Sequence, residues 1–270
     1  MTGSTEHRLG LEHLEGCVGL SDAAGWNQNA ADWRVMLELG QGWGLSVAGE
    51  LVASTLVIPY GEFAWISMVL VAPRHRRRGH ATRLLRTALE NLAQRRLIPV
   101  LDATPAGREV YRQEGFRDTW TFRRLVLERR RPRAAAPRVR PLRVSDWRWI
   151  AELDRAAFGG ERERLLRSLA ARLPAAAFVV EGEGFVLGRD GRRVAQIGPL
   201  VSTGSEVAQL LMDAALSVLK VPVYLDVADH APLDREMFSE QRPFTRMVHG
   251  VAVAPGNEKF VYCVAGPELG

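Results

Sequence analysis

The chain has 270 residues, which at about 100–200 residues per domain allows one large domain or two smaller ones. Hydrophobic residues make up 47% and charged residues 25%, so the composition excludes an intrinsically disordered chain, a collagen and a low-complexity scaffold. There are 36 lysines and arginines against 31 aspartates and glutamates, and the net charge of +5 favours a polyanionic ligand without identifying nucleic acid.

Cysteine usage and the N-terminus indicate the compartment. Cys17 and Cys263 stand at opposite ends of the chain without CxxC or Cys/His spacing, which predicts neither a disulfide framework nor a metal site. Residues 1–10 carry no apolar signal core, and no window reaches 18 uncharged apolar residues. We therefore expect a cytoplasmic protein that has no membrane partner and binds no metal.

The first elements of the chain are predicted to be helices, a hairpin and a buried strand. Residues 31–40 have a helical pattern, and Ala48-Gly49-Glu50 is a hairpin signal. The apolar run from Trp65 to Val71 predicts a buried strand.

An amphipathic helix is predicted over residues 81–94. The apolar residues on its single face are Leu84, Leu85, Ala88 and Leu92. A short buried strand over 98–104 follows, and then a short helix over 108–116 with Gly115 as its C-terminal cap. This order of elements predicts an α+β fold for the first half of the chain.

The second half repeats this order after a stretch rich in arginine, proline and alanine at 129–137, which we interpret as a linker. Its segment 235–244 aligns with 108–116, so Phe238 stands where the first half has Tyr111. We therefore predict two domains, 1–128 and 138–270. The repeated elements of the second are a helix at 145–159, a hairpin signal at 189–192, a strand at 194–201, a helix at 206–219 and a strand at 221–227.

The loop between the strand 65–71 and the helix 81–94 has the features of an anion site. Pro73 ends the strand, and Gly79 and Ala81 allow close backbone approach where the helix begins. Arginines at 74 and 76–78 add cations that pair well with phosphate oxygens. Because neither G-x-G-x-x-G nor Gly-Lys-Ser/Thr is present, the dinucleotide fingerprint and the P-loop are excluded. An ordinary surface turn with solvated arginines is the alternative.

The segment Val71-x-Pro73-x-x-Arg76-Arg77-Arg78-Gly79-x-Ala81 resembles the acetyl-CoA loop of the GNAT superfamily of N-acetyltransferases. The downstream LDATPAGREVYRQEGF is similar to the closing segment of that family. The resemblance implies two tandem GNAT-like domains, each a mixed, mostly antiparallel sheet flanked by helices. It also implies an acetyl-CoA site in which the pantetheine pairs with the backbone of 69–71. The residues of this implied site are Val69, Leu70, Val71, Arg76, Arg77, Arg78, Gly79, His80, Ala81 and Thr82.

The implied reaction is acetyl transfer to a primary amine, of a small molecule, by direct attack in a ternary complex. It needs a neutral amine, a hydrogen-bond donor for the developing oxyanion and an acid that protonates the departing thiolate. We expect backbone N–H groups near 70–71 to be the oxyanion donors. By resemblance Tyr111 is that acid, whereas without the resemblance a core tyrosine packed on the helix 79–96 is the favoured interpretation. Some relatives carry a glutamate base on the strand before the loop, and the corresponding position of this chain, counted back from Gly79, is Trp65. Glu62, three residues earlier, is as typical of a solvated turn as of a base. The base stays unassigned.

For the acceptor, the resemblance points to Trp26, Asn27 and Trp65, a largely uncharged set in which Asn27 could instead be a cap. In the second half, residues 202–205 replace the arginine loop. We therefore expect a degenerate accessory domain that pairs through an edge strand and helps to enclose the acceptor.

Two other classes of function remain open. A non-catalytic module that senses acyl-CoA or binds a protein would use the same loop without turnover. Nucleic-acid binding is disfavoured because the arginines have no interleaved aromatic residues and no recognisable module. The expected partner is a small-molecule amine and not nucleic acid, and the oligomeric state is open.

Overall fold

A computed structural model describes residues 3–129, 136–250 and 253–270, and its strands form one continuous sheet. The strands are β1 (Thr5–Leu9), β2 (Gln41–Val47), β3 (Glu50–Pro59), β4 (Phe63–Val71), β5 (Ile98–Ala103), β6 (Phe116–Leu127), β7 (Arg140–Pro141), β8 (Phe178–Val180), β9 (Gly184–Arg189), β10 (Ala195–Ser202), β11 (Val223–Ala228), β12 (Phe238–His249) and β13 (Val261–Cys263). The helices are α1 (Leu14–Ala23), α2 (Ala30–Leu39), α3 (His80–Gln94), α4 (Pro105–Gln113), α5 (Trp147–Phe158), α6 (Glu163–Arg172) and α7 (Ser205–Val218).

Local sequence explains most of these elements. In α3 the predicted apolar face is buried, and it packs on β2, β3 and β4. The β2–β3 turn places Ala48 and Gly49 at φ of 51° and 84°, as a two-residue hairpin requires. Gly115 follows α4 at a φ of 91°, as expected for the residue after a helix end.

The two halves of the chain exchange a strand. The sheet order is β1-β2-β3-β4-β5-β12-β6-β11-β13-β10-β9-β8-β7, so β12 of the second half lies between β5 and β6 of the first. Thr245 pairs with Ala103 on one side, and Phe244 pairs with Phe122 on the other, both antiparallel. Only β4–β5 and β10–β11 are parallel among the strand pairs of the described residues. Each half therefore completes the sheet of the other.

Two expectations for the second half are wrong. The segment 235–244 does not form a counterpart of α4, because β12 begins at Phe238 and continues to His249. The halves also do not join through an edge strand, since β12 is inside the sheet. Hydrogen bonding to neighbours on both sides and burial of 244–248 outweigh the local likeness to a helical segment.

Apolar side chains form two clusters, one on each face of the first-half strands. One cluster spans both halves, and the other is centred on α3. Residues 130–135 of the predicted linker lie outside the described residues, so the linker 129–137 and the domain boundaries stay predictions. Within the described ranges, no helix has the length and apolar character needed to cross a bilayer.

Candidate active site

The parallel strands β4 and β5 separate part-way along their length. They pair from Phe63–Ile98 to Trp65–Val100, and no further pairing of the two strands follows within the described chain. Beyond this point the β3–β4 register shifts, and Met68 adopts a φ of 51°. Such a bulge bends a strand and increases its twist. The result is a gap between β4 and β5 that opens toward the start of α3.

The backbone edge of β4 at this gap has free polar groups. Ala72 donates its N–H to Val52 of β3, so by strand alternation the N–H and C=O of Val71 point away from β3. The position of Arg76 agrees, because its Nε donates to the carbonyl oxygen of Val71 at 3.2 Å. Leu70 directs its N–H to β3, so of the two predicted oxyanion donors only Val71 faces the gap.

The predicted anion loop leads into α3 through glycine. Gly79 is the N-cap of α3 at a φ of 78°, and no atom lies within 4 Å of where its Cβ would be. The amides of His80, Ala81 and Thr82 point outward because the first turn of a helix has no intrahelical acceptor for them. This combination is typical of an anion site.

The side chains of the loop are mostly cationic and exposed. Arg76, Arg77 and Arg78 are partly or fully exposed, and Arg78 donates to the carbonyl of Arg74 at 3.1 Å. Burial, together with His75 and nearby arginines, lowers the pKa of His80, so this ring is neutral near pH 7. The positive charge of the loop therefore comes from the arginines and the helix end.

A partly open cavity of about 260 Å³ lies at the gap between β4 and β5. A more open groove of about 430 Å³ runs beside it, along residues 69–71 and Arg76. The cavity and the groove share Trp26, Val69, Thr104, Ala106 and Arg242. A ligand extended along the groove from the loop would thus reach the cavity.

Tyr111 of α4 lines this cavity. Its ring packs edge-on against Phe116 at 5.9 Å between centroids. Its hydroxyl makes no hydrogen bond to any residue of the described chain, and burial raises the pKa of Tyr111 to about 12. The phenol is therefore protonated at neutral pH and has a proton to donate.

Sequence reasoning did not single out Gly107, which lies directly under Tyr111. A Cβ at this position would be 3.0 Å from Cε2 of the tyrosine ring. We expect Gly107→Ala to displace the ring and lower kcat about threefold to tenfold, since small misplacements of catalytic groups are costly. The free energy of unfolding should not fall, because alanine favours a helix. Steady-state kinetics beside a urea unfolding curve measure both, and an unchanged kcat would contradict this placement of Tyr111.

The three predicted acceptor residues lie in different places. Trp26 lines both cavity and groove, whereas Asn27 and Trp65 line neither. The Asn27 amide donates to the Val194 carbonyl at 3.0 Å and accepts the N–H groups of Arg193 and Val194, so it joins the two halves. Its side chain is fully engaged there and takes no part in the cavity.

Trp65 is buried in the contact between the halves. Its indole Nε1 donates to the carbonyl of Pro267 at 3.0 Å, and the guanidinium of Arg246 lies 4.4 Å from its ring centroid. Glu62, considered as a base, is exposed just before β4 and does not line the cavity. Neither residue therefore faces the space in which an acceptor would lie.

Sequence reasoning missed most of the charged wall of the cavity. Local sequence gives no signal for Arg242, Phe244 and Glu268, because β12 and the C-terminal segment reach the cavity only in the tertiary structure. The missed lining residues with polar or aromatic side chains are Gln28, Ser67, Asp102, Thr104, Arg124, Arg242, Phe244 and Glu268. The expected uncharged pocket is thus a charged one.

Comparison with known proteins identifies the family. Residues 17–116 match a model described as acetyltransferase (GNAT) family, and residues 150–263 match one described as acetyltransferase (GNAT) domain. The chain is 23% identical over 236 residues to the uncharacterized N-acetyltransferase YitH of Bacillus subtilis, covering 84% of this chain and 83% of that protein. The two family matches fall in different halves and together cover most of the chain.

Solved structures share the fold. A putative acetyltransferase from Pyrococcus horikoshii has a TM-score of 0.86 at 23% identity, with 100% of this chain and 97% of that one covered. A tandem GNAT protein from the clavulanic acid biosynthesis pathway has a TM-score of 0.62 at 16% identity, with 93% and 100% covered.

This chain belongs to the GNAT superfamily of acetyltransferases and contains two GNAT domains. It is accordingly an acyl-CoA-dependent N-acyltransferase, as the expected fold and family implied.

Proposed function

We propose that the protein transfers an acetyl group from acetyl-CoA to the primary amine of a small molecule, by direct attack in a ternary complex. One observation carries this proposal: a groove beside the anion loop opens into a partly open cavity lined by Tyr111. A carrier held by its phosphates at the loop would present its far end in that cavity. Acetyl-CoA has this shape and supplies an acetyl thioester.

The residues at the loop fit the carrier. The outward amides after Gly79 and the arginines at 76–78 suit a diphosphate, and the open space beside Gly79 leaves room for it. The backbone carbonyl of Val71 offers an acceptor to an N–H of the pantetheine arm, as an added strand would. In this structure Arg76 donates a hydrogen bond to the Val71 carbonyl, and this bond would break when the pantetheine arm binds there.

Where the groove meets the cavity, we assign two roles to this chain. The N–H of Val71 stabilises the negative charge that develops on the carbonyl oxygen. Tyr111 donates its proton to the sulfur as the C–S bond breaks, and it regains a proton from the nitrogen that has bonded to the acetyl carbon. These transfers leave the tyrosine unchanged after each turnover.

The second half has no comparable loop. Gly204 precedes α7, and the hydroxyl of Ser202 donates to the Gly204 carbonyl at 2.9 Å, where the first half has an arginine cluster. We propose that this half is degenerate for acetyl-CoA and acts through β12 and the cavity wall. Because Cys17 and Cys263 are buried free thiols, we also propose a reducing, cytoplasmic compartment.

The test is calorimetric titration of the full chain with acetyl-CoA, and of a Gly79→Val variant. We expect one site per chain, and at least about a tenfold weaker Kd for the variant, because a β-branched residue at this φ costs on the order of 1–2 kcal/mol and its methyls enter the ligand space. The full chain is required because removal of 138–270 would delete β12 from between β5 and β6.

Gly61 offers the matched control for this titration. It has a φ of 86° with open space around it, and a Gly61→Val variant carries the same backbone strain away from the loop. Equal acetyl-CoA affinity in wild type and Gly79→Val would contradict the proposed loop. Binding without release of CoA in the presence of any amine would instead favour an acyl-CoA-sensing module.

A further inference from the structure

Four charged side chains line the cavity, and two of them are already neutralised by the protein. Asp102 accepts two hydrogen bonds from Arg246, at 2.9 Å and 3.0 Å. Arg124 donates two to Asp226, at 2.8 Å and 2.7 Å. Such two-point pairs satisfy both partners, so a ligand is not needed to complete them.

Glu268, the third, is only partly satisfied. Its side chain is 2% exposed, Oε1 pairs with Arg189, and Oε2 has no hydrogen-bond partner among the described residues. Arg189 also pairs with the buried Asp32, which has a second partner in Arg172 at 2.6 Å, so Glu268 shares its guanidinium with another carboxylate. A buried carboxylate with an unused oxygen is costly and calls for a donor from a ligand.

Arg242, the fourth, is a cation that lacks an anionic partner among the described residues. Its Nε is buried and has no acceptor among the described residues, and its guanidinium lies 5.5 Å from the ring centroid of Phe244. Arginine keeps its charge in proteins, so this is a cation without an ion partner in the described chain. It belongs to the wall that cavity and groove share.

We propose that the acceptor is a small zwitterion of the amino-acid class, with its amino group on Glu268 and its carboxylate on Arg242. This inference rests on the proposed function and deepens it. A ligand with one charge would leave either an acid or a base of the cavity unpaired, whereas a zwitterion pairs both. The volume of about 260 Å³ suits a small molecule.

Glu268 then also has a part in the reaction. It takes one proton from the ammonium group, which frees the nitrogen lone pair. As the N–C bond forms and the C–S bond breaks, Tyr111 donates its proton to sulfur and receives the second nitrogen proton. The products are the N-acetylated amino acid, which keeps its carboxylate but has lost its ammonium charge, CoA thiol and a protonated Glu268, which returns its proton to water.

The test measures CoA thiol release by the full chain with acetyl-CoA and a panel of the common L-amino acids, each beside its methyl ester, in which the α-carboxylate is replaced by an uncharged ester and the amino group is kept. We expect at least one amino acid to have a kcat/KM about tenfold or more above that of its ester, as one lost charge-assisted pair would cause. Arg242→Gln should remove this preference by slowing the amino acid and not the ester. Glu268→Gln should slow both by about 100-fold, as loss of a general base does.

Two controls separate binding from folding. Acetyl-CoA affinity by calorimetry and the melting temperature should be unchanged in Arg242→Gln. Glu268→Gln keeps an oxygen for Arg189, and its fold is checked by the same acetyl-CoA titration. Arg148 and Glu152, exposed on α5, supply matched Arg→Gln and Glu→Gln controls with unchanged kinetics.

Three results would overturn the inference. One is an equal or better rate with every ester than with its amino acid. Another is a loss of acetyl-CoA affinity in Arg242→Gln with equal effects on acids and esters, which would assign Arg242 to the carrier. The third is acetyl-CoA binding without acetylation of any amino acid, which leaves the proposed function standing. Failure of acetyl-CoA to bind would instead overturn both.

Discussion

Tyr111→Phe is expected to lower kcat by about 100-fold or more, because loss of a general acid typically costs 10²–10⁴-fold. The acetyl-CoA Kd should not change, since the hydroxyl lies in the cavity and not at the loop. The free energy of unfolding should stay within about 0.5 kcal/mol, because the hydroxyl makes no hydrogen bond within the described chain and the ring still packs on Phe116.

The pH profile adds a second readout. Burial raises the pKa of Tyr111 to about 12, so its acid form persists above the ordinary tyrosine pKa of about 10. We therefore expect no fall in kcat around pH 10 from loss of this proton. Tyr262, buried on β13 and away from the cavity, provides a matched Tyr→Phe control with normal turnover. A Tyr111→Phe enzyme with normal kcat would exclude Tyr111 as the acid.

Asp226→Ala is expected to lower the free energy of unfolding by about 3–5 kcal/mol, the largest loss that we predict. This is the usual cost of removing one partner from a buried ion pair. Asp226 is fully buried and accepts from both Arg124 and Gln196. Its loss would leave the guanidinium of Arg124, 3% exposed, without the partner that it bonds at two points. Urea unfolding followed by circular dichroism measures this.

The control for Asp226→Ala is Glu152→Ala, which disrupts an exposed pair of 3.9 Å and should cost less than about 1 kcal/mol. Because Arg124 is on β6 and Asp226 on β11, the pair bridges the two halves. We expect one cooperative transition for both halves in each protein. A change below about 1 kcal/mol for Asp226→Ala would show that this pair does not hold the halves together.

The strand exchange explains why the site is only partly visible in the sequence. The anion loop is contiguous in the chain: a strand, Pro73, Gly79 and an amphipathic helix follow one another, and local rules suffice to assign them. Tyr111 lies on a short helix next to this unit and was found through the family resemblance. Its neighbour Gly107 carries no periodic signal, so only the packed structure shows its role.

The failed expectations share one cause. Asn27 and Trp65 make their hydrogen bonds to Val194 and Pro267, more than 160 residues away in the chain. No local pattern encodes such contacts, and a residue expected to touch a substrate instead joins the halves. The segment beginning at Phe238 likewise forms a strand because its backbone pairs with β5 on one side and β6 on the other.

The sequence by itself determined the order of elements from α2 to α4 and the cationic loop at the start of α3, because these depend on residues close together in the chain, and its resemblance to the GNAT superfamily indicated the tandem organisation. The tertiary structure alone decided that β12 enters the sheet of the first half and brings Arg242 and Phe244 to the cavity, with Glu268 from the C-terminal segment. The charge of the acceptor site is therefore set by long-range packing, in which burial and pairing depend on neighbours that no local window contains.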